Sequence, residues 1–95
     1  MNTNPIPIDY SDVKLRILVE EFITLQRKEF TFRGLCDYVL YRSMEEGRTA
    51  GQMLYVSNEL QPADQERLRS ILVKIVDEGR ITAFADNNNF VKMKE

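Results

Sequence analysis

Histidine is absent from this sequence, and cysteine occurs once, as Cys36. A lone thiol excludes an intrachain disulfide. Without histidine or a cysteine pair, zinc ligation and the Ser/His or Cys/His route to an activated nucleophile lose their usual parts. The expectation is a protein without enzymatic activity, without a cofactor and without a metal, at home in the reducing cytoplasm. No apolar run approaches the roughly 20 residues that span a bilayer. The opening stretch "MNTNPIPIDY" has neither a basic n-region nor an apolar h-region, so neither a membrane nor export is expected. Positive charge is also in short supply: 13 lysines and arginines against 15 acids give a net charge of −2, with a pI near 5.2. Strong nucleic-acid binders usually carry the opposite balance. The acids include the doublets Glu20-Glu21, Glu45-Glu46 and Asp77-Glu78. Neighbours on a helix diverge by about 100°, so a doublet reads as solvated surface rather than a shared catalytic or metal site.

Ninety-five residues suffice for one domain with a modest core. Hydrophobic residues at 43% and charged residues at 29% are ordinary for a folded chain and argue against global disorder. Residues 1–10 carry Pro5 and Pro7, which disfavour a helix and predict an extended arm. Ile6, Ile8 and Tyr10 alternate along that arm, so one side suits the domain surface or a sheet edge. The domain proper is expected over residues 11–95.

Ser11 is placed as the N-cap of a first helix over "DVKLRILVEEFITLQRKE". Leu15, Leu18, Val19, Phe22 and Leu25 form its inward face, and Arg27-Lys28 are expected in its last turn. Phe30 to Phe32 is β-prone, and Thr31 can cap a second helix, "FRGLCDYVLYRSMEEG". Its inward side is Leu35, Tyr38, Val39 and the stem of Arg42, its weak point is Gly34, and its stop is Gly47. Residues 48–60 are expected to form a partly helical connector. Within it Gln52 to Ser57 fits a strand or a short helix, because four apolar residues in six do not fix a period. A third helix follows: Pro62 suits its first position, Leu68, Ile71, Leu72, Ile75 and Val76 make one stripe, and Gly79 suits the left-handed stop.

The remaining "RITAFADNNNFVKMKE" reads as a hairpin reversing at Asp86 to Asn89, residues that tolerate the positive φ of a tight turn. Period-two alternation places Ile81, Ala83, Val91 and Met93 on the core face. Thr82, Phe84, Phe90, Lys92 and Lys94 then share the other face.

Helix, short strand, helix, connector, helix and hairpin, in that order over residues 11 to 94, resemble the winged helix-turn-helix superfamily. The resemblance implies an α+β fold with a three-helix core and a small antiparallel β-hairpin wing. It lies in element order rather than in a residue motif. The segment between helices 2 and 3 is longer than the three or four residues usual in a helix-turn-helix.

Two functions follow from that resemblance. The first is a transcription regulator that binds double-stranded DNA through helix 3 and the wing, expected as a homodimer because one weakly basic domain makes few phosphate contacts. Its contacts would be Gln65, Arg67, Arg69, Lys74, Lys92 and Lys94. The second is a protein-interaction module that docks on or inhibits a larger complex through Phe84, Asn87, Asn88 and Phe90 at the wing tip. Each has a plainer counterpart. The basic residues equally suit scattered solubilising charges, and Phe84 with Phe90 equally suits a cross-strand pair that stiffens the hairpin. With the apolar stripe inward, helix 3 turns Glu66, Ser70, Val73 and Asp77 outermost, and that face is not basic. Cys36, Tyr38 and Tyr41 read as core or core edge rather than as a reactive thiol or base-stacking platforms.

Overall fold

The computed structural model describes residues 4–6, 8–46 and 58–93. Its elements are β1 (Asn4–Ile6), α1 (Asp12–Leu25), β2 (Glu29–Thr31), α2 (Phe32–Glu45), β3 (Asn58–Leu60), α3 (Pro62–Asp77), β4 (Ile81–Ala83) and β5 (Asn89–Lys92). The class is α+β: three helices pack with a three-stranded antiparallel sheet of order β2-β5-β4, and β1 pairs with β3 in a separate parallel ladder.

The helix starts follow from local chemistry. Ser11 is extended, and its hydroxyl accepts the Lys14 N–H at 3.1 Å. Thr31 does the same for the Gly34 N–H at 2.9 Å. A Cβ at position 34 would lie 3.2 Å from that Thr31 Oγ1, so the glycine that weakens the helix also admits its cap. At the far end of α3, Gly79 takes the left-handed conformation, at φ 79°.

α1 stops earlier than its periodicity suggests. It ends at Leu25, which is exposed rather than inward, and Ile23 takes the buried place, so Arg27 and Lys28 lie beyond the helix. Gln26 is the cause: its N–H turns back to the Ile23 carbonyl and its side-chain amide donates to the Phe22 carbonyl. The chain then extends into β2, where the Lys28 carbonyl accepts the Lys92 N–H.

Residues 58–60, expected inside a partly helical connector, form β3 instead, with Asn4, Pro5 and Ile6 opposite Asn58, Glu59 and Leu60. The N-terminal arm thus joins a strand edge, and beyond it Ile8 and Tyr10 enter the core. The expected conformation of Gln52 to Ser57 and the stop at Gly47 lie outside the described residues.

The core gathers Leu15, Leu18 and Val19 of α1, Leu35 and Val39 of α2, and Leu68, Leu72 and Ile75 of α3. The β5 face assignment is corrected. Ile81 stands opposite Lys92, Thr82 opposite Val91, and Ala83 opposite Phe90. Phe90 and Lys92 therefore share the inward side with Ile81, while Met93 is 46% exposed. Six residues, 84 to 89, separate the Ala83–Phe90 pair. The expected facing of Ile81 and Ala83 with Val91 and Met93 is off by one residue, and because strand side chains alternate, that single step moves every β5 side chain to the opposite face.

Candidate functional site

The hairpin turn is built by its own polar residues. The Asp86 carboxylate accepts the Asn88 N–H at 2.9 Å, the Asn89 N–H at 3.1 Å and the Asn89 side-chain amide at 2.6 Å. Asn87 adopts φ 56°, a conformation asparagine tolerates better than most residues. These hydrogen bonds, those from the Asn88 N–H and the Asn89 amide most, hold the Asp86 carboxyl below its ordinary range.

Arg69 ties that turn to α3. Its guanidinium donates to the Asn87 carbonyl and to the Asn88 side-chain oxygen, both at 2.8 Å, and lies 3.9 Å over the ring of Phe32. Three separate elements meet at this one side chain. Between α3 and the hairpin runs a cleft of about 600 Å³, walled by Arg69, Leu72, Val73 and Val76 on one side and by Ala83, Phe90 and the turn on the other. Its mouth is apolar at Val73, which is 58% exposed.

The six residues expected to contact nucleic acid do not converge on one surface among the described residues. Gln65 donates to the Leu60 carbonyl and joins α3 to β3. Arg67 points toward α1, where it donates to Asp12 at 2.9 Å, to Asp64 at 2.9 Å and to the Tyr10 carbonyl. Buried Asp64 also accepts the Ile8 N–H, so this cluster fastens the N-terminal segment. Arg69 is held by the turn. Lys92 donates to the Gln26 carbonyl at 3.0 Å, at the α1 end of the sheet. Only Lys74 projects outward from α3, beside Val13 and Ile17 of α1. Lys94 lies outside the described residues.

Of the four residues expected at a protein contact, Asn87, Asn88 and the half-exposed Phe84 sit at the hairpin end. Phe90 does not. It is 4% exposed and stacks on Phe30, with ring centroids 5.3 Å apart and planes at 13°. The cross-strand pair expected between Phe84 and Phe90 is therefore corrected as well: Ala83 of β4 stands opposite Phe90, and the aromatic partner of Phe90 is Phe30 of β2. Val73 and Val76 of the cleft were outside both expected sets. The outward position of Val73 on the helical wheel was the available signal.

Three further arginines are held in intramolecular pairs. Arg16 bridges Glu20 and Glu78, and Arg80 also holds Glu20, which locks α1 to the α3–β4 junction. Arg42 joins Glu21 of α1 to Glu46 and to the Tyr38 hydroxyl. Hydrogen bonds from Arg80 and then Arg16 lower the Glu20 carboxyl, and those from Tyr10 and Arg42 lower Glu46. Carboxyls lowered by folding bind protons more readily in the unfolded chain, so their stabilisation is present above the ordinary Glu value of 4.5 and fades below it. The urea midpoint should hold level between neutral pH and about pH 5 and fall steadily from there toward pH 3. An unchanged midpoint at pH 3 would show these pairs to be idle.

Cys36 is partly buried on α2, and desolvation pushes its thiol up to about 12, away from the reactive thiolate. Among the described residues no group of acids and cysteine stands ready to hold a metal ion, and no helix is long and apolar enough to cross a membrane. The chain matches none of the protein families, curated proteins or solved structures with which it was compared.

Proposed function

We propose that this chain is a non-enzymatic winged-helix module that docks on another protein through the cleft between α3 and the hairpin, which serves as its wing. The helix order and the β2-β5-β4 sheet are compatible with that fold. What carries the docking reading over a DNA-binding one is the use made of Arg69. The basic side chain best placed to meet a duplex between helix and wing is instead committed to Asn87, Asn88 and Phe32. Arg67 and Lys92 are likewise engaged within the chain. The outward face of α3 keeps Glu66, Ser70, Val73 and Asp77 exposed. Two carboxylates there oppose phosphate, since affinity for a nucleic acid backbone comes chiefly from cations that displace its counterions. A concave, partly apolar cleft that opens at an exposed valine is instead the kind of surface that receives a side chain from another molecule.

Val73→Asp is the decisive substitution because Val73 faces solvent and lies outside the core. Its effect on stability should stay within about 0.5 kcal/mol. Protein capture should be lost with this variant and kept with Lys74→Glu. Random duplex at low salt should give no mobility shift with the unaltered protein, and a shift that Lys74→Glu removes would replace docking by DNA binding.

A further inference from the structure

We propose that the segment received by the cleft is basic and amphipathic: an apolar side chain of a partner protein seated on Val73, Val76 and Ala83, flanked by lysine or arginine. The inference rests on the docking reading above and adds the chemistry of the partner. Glu20, Glu21, Glu46, Asp64 and Glu78 are each held by an arginine. Glu66 and Asp77 differ. Both are exposed on the outward side of α3, and neither forms an ion pair among the described residues. Measured from Val73 at about 100° per residue, Glu66 and Asp77 fall within about 40° of it, one toward each end of the helix.

The hairpin adds a third carboxylate. Asp86 lines the opposite wall of the cleft and is exposed, while Glu66 and Asp77 stand just outside it, on the far side of Val73 from Arg69 and Val76. Arg69 sets the polarity. It occupies the N-terminal half of α3 and is held by uncharged asparagine oxygens and a ring rather than by a carboxylate, so it keeps its full charge and repels a cation there. The favoured place for the partner's cation is therefore the Asp77 end. Arg69 also fixes the turn against α3 before anything binds, which reduces the ordering that docking requires. Complementary rim charges of this kind speed encounter and exclude acidic competitors more than they add affinity.

The probes are two short synthetic peptides with the same leucine, one flanked by lysines and one by glutamates, titrated into isotope-labelled protein while backbone amide shifts are followed. The lysine peptide should move the amides of Val73, Val76 and Ala83. Its affinity should exceed that of the glutamate peptide, and Glu66→Gln with Asp77→Asn should reduce it about fivefold, the scale of two exposed ion pairs. Added salt should erode the difference. Equal binding of both peptides at the cleft would overturn the charge assignment and leave docking intact. Shifts that map away from the cleft, or none with either peptide, would overturn both.

Discussion

Phe90→Ala is expected to destabilise the fold by about 3–5 kcal/mol, among the largest effects of any single truncation in this chain. The ring is 4% exposed, stacks on Phe30, and sits in the central strand of the sheet. Phe30 in turn meets the edge of Phe22, with centroids 5.5 Å apart and planes at 90°. Removing Phe90 therefore leaves a cavity where β2, β5 and α1 come together, and the aromatic contact is lost with the buried area. Whole domains of this kind are stable by only about 5–15 kcal/mol, so the variant should be partly unfolded at moderate temperature. Denaturant melts decide between the two roles considered for this residue. A change below about 1 kcal/mol would return Phe90 to the surface.

Leu72→Ala and Ile75→Ala should each cost about 2–4 kcal/mol. Leu72 is 1% exposed and Ile75 is fully buried, on the stripe of α3 that faces α1 and the sheet. A similar truncation at Val73, one residue from Leu72 and 58% exposed, should cost far less. That contrast across adjacent positions tests the orientation of α3 directly, since a rotated helix would reverse it.

The α3 stripe was legible because Leu68, Ile71, Leu72 and Ile75 repeat at the helical period and Gly79 marks the stop. Ser11 and Thr31 were legible because their hydroxyls answer a local need, the unpaired N–H groups of a first helical turn. The hairpin was legible as a hairpin but not in its register. A strand's faces depend on whether its turn holds an even or odd number of residues, and Asp86 sets that number through bonds to Asn88 and Asn89. β3 was missed because a three-residue strand carries little pattern of its own and owes its shape to β1, distant in sequence. The role of Arg69 was hidden for a related reason. A guanidinium that binds a turn carbonyl and lies over a ring on another helix obeys no spacing rule, so its sequence position beside an exposed helix face suggested an outside ligand.

The strand order β2-β5-β4 places the last-synthesised of the described strands in the middle of the sheet. During synthesis, β2 emerges well before β5 exists, so the amides of Glu29 to Thr31 and the ring of Phe30 have no partner while the helices are already being made. Chain growth thus outpaces closure of the sheet, and a nascent chain arrested before Asn89 should present an unpaired β2 edge, the kind of surface that chaperones and neighbouring chains engage.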